Sequence, residues 1–379
     1  MNFDFDDQQL ELHVTVQRAL AEILAFEGHE ARGADDRTAW NILTEMGLFG
    51  LLVPEVHGGL GLSLVDLALI AEELGARLAP QSILDTLAGT DAIARFGTAQ
   101  QRAEWLPRLA AGKVRIAIAW HEAGCGYDPA VMSTLAEHGR LNGRKIIVAN
   151  AANADIYLVP FRVGTSPRVG LALVPAKQAG VIVEASDGLD PSCGHCSVTF
   201  SDVEMPERAV LGGSIGRGGA DRLFDVMAAL QGAAALGLAA HICHGAADYA
   251  RERIQFDKPI GSFQAIKHRC ADMYTQVEAA RAAAYYSLCA LAEAADDGAR
   301  AASIAKAFCA DVAVRCCQDS IQVHGGMGFT WELGLHHFLR RARVISATFG
   351  DGEFHRERVI AATLSTLAPR VAEPVHSVA

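Results

Sequence analysis

A mainly helical protein with a central β domain is what the order of periodicities along this 379-residue chain predicts. Three observations carry that prediction. Residues up to about Gly112 repeat their apolar positions at helical spacing, with a well-marked helix start at Ser63. From Val114 the pattern changes to short runs rich in β-branched residues. After the glycine-rich stretch Gly212 to Gly219, helical periodicity returns in long alanine-rich segments and lasts to about Leu367. This order predicts a helical domain over 1–112, a β domain over 113–212 and a helical bundle domain over 213–379.

In the first domain, Ser63 and Asp66 form a capping box. Leu64, Leu67, Ala71, Leu74 and Leu78 then make one apolar stripe before Pro80 stops the helix. In the second, strands are predicted over Val114 to Trp120, Arg144 to Val148, Asp155 to Val159, Val169 to Val174, Val181 to Glu184 and Cys196 to Val203. The tetrapeptide Leu141-Asn142-Gly143-Arg144 predicts a hairpin turn of the Asn-Gly type. In the third, the apolar stretch Val226 to Cys243 is nearly long enough to span a bilayer. It is rich in Ala and Gly and interrupted by Gln231 and His241, so it reads as a close-packed bundle helix. The tail from Ala368 to Ala379, with two prolines, is predicted to fray. Strands confined to the middle exclude a doubly wound nucleotide fold, and neither a GxGxxG turn nor a phosphate loop is present.

The chain is 51% hydrophobic, so it can bury large cores, and its net charge is −11 with no basic run. That charge argues against nucleic acid, whose phosphates need clustered Lys and Arg. The acidic start, MNFDFDDQQLELH, is unlike a signal or transit peptide and points to a cytoplasmic protein with no membrane partner. Of nine cysteines, Cys243, Cys270, Cys289, Cys309, Cys316 and Cys317 fall in alanine-rich helices and read as small core residues in a reducing compartment. Cys193-Gly194-His195-Cys196 has the spacing of a thiol-disulfide motif. It follows the turn Asp190-Pro191-Ser192 and precedes a strand, whereas a reactive thiol would open a helix, so it reads as turn chemistry. No metal site is predicted, and His336-His337 reads as surface.

Two C-terminal segments, RERIQFDKPIGSFQAIKHRCADM (Arg251 to Met273) and IQVHGGMGFTWELGLHHFLRRAR (Ile321 to Arg343), resemble the acyl-CoA dehydrogenase family. Earlier segments keep the same order. They are Gly47 to Leu51, Pro54-Glu55 and Gly58 to Ser63 ahead of the Glu-Glu-Leu-Gly stretch Glu72 to Gly75, and Trp120 to Asp128 in the middle domain. The resemblance implies an N-terminal helical domain, a middle β-barrel or sandwich domain and a C-terminal four-helix bundle. It also implies FAD as cofactor, an acyl-CoA substrate and a dimer or tetramer. Such enzymes remove an α proton to a carboxylate and a β hydride to flavin N5.

By the same resemblance, Arg253, Gln255, Phe256, Gln264, Gln322, Val323, Gly325 and Gly326 are cofactor-binding residues. In this family the Arg, amide and glycine groups at these places serve the FAD of a neighbouring subunit. The contacts of the flavin ring fall on Trp120, His121 and Ala149, and here the chain departs from the family. His121 stands for a Thr, Tyr127 for a Ser, and Ile147-Val148-Ala149 for a Trp-x-Thr strand. Ala228 replaces a substrate-site Arg and Met227 fills the alternative base position. Phe349 occupies the usual place of the catalytic Glu, and Asp351, two residues on, is the carboxylate candidate in that loop. Groups lent to a neighbour are retained while those of the chain's own site have drifted, as expected of a base-lacking small subunit in a heteromeric bacterial enzyme acting on bulky or dicarboxylic CoA esters. Two alternatives stay open: a self-sufficient homo-oligomer using Asp351 or another carboxylate, and a family member with other chemistry, such as a lyase or desulfinase, or with none.

Overall fold

The computed structural model describes residues 7–23, 36–164, 166, 168–213 and 215–367. Five helices come first: α1 (Asp7–Ile23), α2 (Asp36–Glu45), α3 (Asp66–Ala76), α4 (Gln81–Phe96) and α5 (Ala99–Ala110). The Ser63 signal starts a helix three residues late. The Ser63 N–H and hydroxyl both donate to Asp66 Oδ2, at 2.8 and 2.9 Å, while the hydroxyl accepts from Val65 N–H. Leu64 and Val65 therefore form a turn, and α3 begins at Asp66. Leu64, Leu67, Ala71 and Leu74 are buried as the stripe requires. The helix ends at Ala76, ahead of Leu78, whose φ is +52°, and Pro80 caps α4 rather than stopping α3.

The central layer is one seven-stranded mixed sheet: β1 (Ile116–Ile118), β2 (Leu135–Glu137), β3 (Arg140–Val148), β4 (Ile156–Val163), β5 (Val169–Pro175), β6 (Val181–Ala185) and β7 (Cys196–Glu204). β1 and β2 share one edge of β4, both parallel to it, and β5 pairs with its other edge. β2 was not foreseen, since three residues are too few to show alternation. It displaces the predicted hairpin turn: β2 and β3 meet at His138-Gly139, both at positive φ, and Asn142-Gly143 lies inside β3. There Asn142 Oδ1 accepts from Asp202 N–H at 2.7 Å, and a Cβ on Gly143 would sit 2.3 Å from Thr134 Oγ1. The glycine is needed for a close crossing and not for a turn.

The last layer is helical: α6 (Gly218–Glu252), the hairpin β8 (Ile254–Gln255) and β9 (Lys258–Pro259), α7 (Gln264–Ala292), α8 (Gly298–His324), α9 (Leu335–Ala347) and α10 (Gly352–Leu367). α8 packs against α6, α7, α9 and α10. α6 is the one described helix long and apolar enough to cross a membrane, and 94% of its most apolar window is buried inside the protein. The predicted tail lies outside the described residues.

Glycine explains how the first layer meets the last. A Cβ on Gly75 of α3 would lie 1.9 Å from the carbonyl oxygen of Ala234, and one on Gly237 of α6 would lie 1.7 Å from that of Glu72. The two helices touch backbone to backbone, which only glycine permits. A buried ion pair joins all three layers. Arg341 on α9 donates to Asp190 Oδ2 at 2.6 Å, to Ser192 Oγ at 2.8 Å and to the carbonyl of Ala79 at 2.9 Å.

Candidate functional site

Two clusters collect the predicted residues, and they differ in character. The first lies at one end of the helical bundle. Tyr249 of α6 stacks on His324 of α8 at 4.2 Å, and Arg269 of α7 bonds Asp319 of α8. These contacts bring the end of α6, the start of α7 and the end of α8 together. Arg253 caps α6 and is exposed, as are Gln255, Phe256, Gln264 and Gln322. Phe256 stands 84% exposed at the β8–β9 turn, where it and Asp257 take left-handed φ of +53° and +61°. Gly325 has φ +60°, and a Cβ on Gly325 or Gly326 would meet nothing within 4 Å. Val323 is turned into the core and can offer only its backbone. An exposed guanidinium, exposed amide side chains, an open glycine backbone and the N-terminus of α7 have the chemistry to hold a dinucleotide's pyrophosphate.

The second cluster is the cleft between sheet and bundle, where the flavin ring and its base would belong. The three aromatic departures His121, Tyr127 and Phe349, up to 228 residues apart, meet here. Phe349, at φ +50° and buried, donates its N–H to His121 Nε2 at 3.3 Å. Its ring packs on Trp120, Phe224 and His121, with centroids 6.1, 6.2 and 5.2 Å away. Burial lowers the His121 pKa to about 3, which keeps the ring neutral and able to accept that bond. Tyr127 lies against Phe354 at 5.0 Å, and its hydroxyl donates to the carbonyl of Ala347 at 3.1 Å and to Asp351 Oδ2 at 3.4 Å.

The loop that carries Phe349 is pinned from below. Buried Lys306 on α8 donates to the carbonyls of Ile345 and Gly350 at 2.6 and 2.9 Å, and His355 donates to that of Phe349 at 2.8 Å. Asp351 is committed as the cap of α10: Oδ1 accepts from Phe354 N–H at 2.9 Å, and its carbonyl accepts from His355 N–H at 3.1 Å. Ala228 and Met227 are fully buried in α6. Ile147, at φ +55°, is 41% exposed, and Ala149 is buried. Between Ala149 and Phe349 the cavity measures about 20 Å³, room for a water or two and not for a three-ring flavin. The residues of this half do not fit FAD, while those of the first cluster do.

Polar residues line what remains of the cleft: Gln81, Asp85, His195, Gln231 and Thr348. Asp85 accepts from Ile118 N–H at 3.1 Å and Gln81 Nε2 at 3.3 Å, and burial raises its carboxyl to about 7. Sequence reasoning missed it. The available signal was Gln81 and Asp85 four residues apart, on one face of a largely apolar helix. Beneath the Trp120–Asp128 segment, buried Lys145 bonds Glu122 at 2.8 Å, and Ser133 and Thr134 also donate to it. Burial works against the Glu122 carboxylate, but Lys145 and these donors hold it down at about 2.

Cys193 and His195 sit at the other wall of the cleft. Cys193 ends a single turn of 3₁₀-helix after Asp190, and burial pushes its thiol up to about 12, the reverse of an activated cysteine. Five of the six helical cysteines are buried and Cys270 is partly so. The surface reading of His336-His337 is corrected: His337 is buried and His336 partly so, the two rings 3.9 Å apart beside Trp331, because α9 turns this face toward the bundle.

Known proteins share both sequence and fold with this chain. The family model described as "Acyl-CoA dehydrogenase, N-terminal domain" matches residues 6–113, and "Acyl-CoA dehydrogenase, C-terminal domain" matches residues 216–364. An acyl-CoA dehydrogenase of Bacillus subtilis is 33% identical over 331 residues, covering 82% of this chain and 85% of its own. A solved Tcur3481-Tcur3483 steroid ACAD variant superposes with a TM-score of 0.85 at 28% identity, covering 96% of this chain and 99% of its own. The ChsE4-ChsE5 complex from Mycobacterium tuberculosis gives the same TM-score at 25% identity, with the same coverage. Helix–sheet–helix order, the glycine contact of α3 with α6 and these matches agree: the chain belongs to the acyl-CoA dehydrogenase family, flavin oxidoreductases with FAD as cofactor.

Proposed function

We propose that this chain is the base-lacking partner subunit of a heteromeric acyl-CoA dehydrogenase. Its bundle end, Arg253, Gln264, Gln322, Gly325 and Gly326, completes the FAD site of a neighbour that carries the catalytic Glu. The observation that carries the reading is Phe349. Its ring is buried among Trp120, His121 and Phe224 at the position of the base, and its loop is held by Lys306 and His355. Loss of a general base costs about a hundredfold to ten-thousandfold in rate, so the chain alone is not a competent dehydrogenase. Asp351 is a poor substitute, because capping α10 and bonding Tyr127 engage both of its carboxylate oxygens. Bulky or dicarboxylic acyl-CoA esters are the proposed substrates of the pair. Support comes from two similar structures, one described as a steroid ACAD and one as a complex of two named chains. The test is co-expression with a Glu-bearing member of the family, followed by dye-linked oxidation of a panel of acyl-CoA esters. Turnover by the pair and none by the chain alone is expected; turnover by the chain alone contradicts the reading.

One observation favours a second reading. Asp85 lines the cleft and titrates near neutrality, in the range suited to a general base. Both of its oxygens accept hydrogen bonds, as those of Asp351 do, so what sets Asp85 apart is its place in the cleft and its raised pKa. A self-sufficient homo-oligomer would then use Asp85 in place of Asp351, and Asp85→Asn would abolish turnover by the isolated chain.

A further inference from the structure

The resemblance implies that each chain lends groups to a neighbour's FAD, so a pair of chains would have two places for FAD, one of them in the cleft of this chain. His121, Tyr127 and Phe349 stand where the resemblance implies Thr, Ser and Glu, and every one of the three substitutions adds an aromatic ring. The three side chains form one contact chain: Phe349 against His121 at 5.2 Å, and His121 against Tyr127 at 5.9 Å. Phe354 extends it from Tyr127 at 5.0 Å to Phe224 at 5.7 Å, and Phe224 closes it on Trp120 at 5.1 Å.

The cluster is tied at both ends. The tip of the loop that bears Tyr127 is bound to the bundle by the hydroxyl bonds to Ala347 and Asp351, and the Trp120 indole N–H donates to the Tyr127 carbonyl at 3.0 Å. The loop's foot is closed by Glu122, which accepts from both Ser133 N–H and Ser133 Oγ at 2.5 Å. Trp120, Phe224 and Phe349 then form a wall. On one side lies the cavity of about 20 Å³ beside Ala149, and on the other a larger one of about 160 Å³ lined by Tyr127, Arg217 and Arg358. Neither cavity alone admits a flavin ring together with an acyl thioester.

We infer that this aromatic cluster is a plug that excludes FAD and acyl thioester from the chain's own cleft, so that a pair of this chain with a Glu-bearing relative holds one FAD and not two. The inference rests on the partner-subunit reading. The experiment counts flavin by absorbance against protein in the purified pair. It then repeats the count with His121→Thr, Tyr127→Ser and Phe349→Glu combined in this chain, with circular dichroism melting to confirm folding. One FAD per wild-type pair, rising twofold in the folded variant, is the expected result. Two FAD per wild-type pair overturns the plug directly and needs no variant, so a misfolded variant does not rescue it. One FAD per pair in both the wild-type and the folded variant also overturns the plug, yet leaves the partner reading standing. One FAD per chain with turnover in the chain purified alone overturns both.

Discussion

Replacing Asp85 by Asn should stabilise the protein, and increasingly so as pH rises. The Asp85 carboxyl is 2% exposed, accepts from Ile118 N–H and Gln81 Nε2, and has no basic partner in its hydrogen bonds. Burial raises its pKa from the ordinary 3.8 to about 7. Below the ordinary value both folded and unfolded chains hold the proton, and Asp85 costs nothing. Between that value and about 7 the unfolded chain ionises while the folded one does not, so rising pH favours unfolding by about 1.4 kcal/mol per pH unit. Above about 7 the cost is constant, and its full size across this window is on the order of 4 kcal/mol. Asn keeps an acceptor for Ile118 and can exchange an amide bond with Gln81, so the variant escapes the cost without losing the bonds. Urea unfolding of both proteins across the acidic to mildly alkaline range gives the test. The gap in unfolding free energy should widen in favour of Asp85→Asn by roughly 3–4 kcal/mol between the two ends. A gap that stays flat with pH would refute the assignment of a neutral buried carboxyl at the cleft.

Arg341→Met should destabilise by about 3–5 kcal/mol, because it leaves Asp190 buried without its cation, and the loss should be recovered in part by adding Asp190→Asn; chemical denaturation of the single and double variants checks both. Gly75→Ala drives a methyl to 1.9 Å from the Ala234 carbonyl, so at least ~3 kcal/mol of stability, the upper end of ordinary overpacking, should be lost, seen as a lower melting temperature or insoluble protein. Cys193, whose thiol is pushed up to about 12 by burial, should resist alkylation by iodoacetamide at mildly alkaline pH in the folded protein and react once it is unfolded, as mass spectrometry of the labelled peptides would show.

How much of this was legible in the sequence depends on whether the determining contact is local. The stripe of Leu64, Leu67, Ala71 and Leu74 needs only helical spacing and was read correctly, whereas the start at Asp66 depends on how Ser63 shares its hydroxyl. Asn142-Gly143 carries the strongest local signal for a hairpin, yet long-range packing against Thr134 and Asp202 uses it inside a strand. The Glu-Glu-Leu-Gly stretch was legible as a motif, but its physical reason, two helix backbones in contact at Gly75 and Gly237, appears only in three dimensions. At the site, the resemblance set His121, Tyr127 and Phe349 down as departures at one place, residue by residue. That their rings pack on one another and on Phe354 and Phe224 could not be read, since contacts between chain positions so distant leave no pattern in the sequence. Asp85 was missed because a single acidic residue on an apolar helix looks the same whether it faces solvent or a cleft.

The central claim is that this chain lends its FAD-binding groups to a neighbour, and flavin content of the co-expressed pair with Arg253→Ala and Gln322→Ala tests it most directly. Both side chains are exposed, so the variant chain should fold and melt as before. Placed in this chain, the substitutions should strip the pair of its FAD, while the matching changes in the partner should leave flavin content unchanged. Retention of FAD when this chain is altered, or its loss only when the partner is altered, would contradict the account.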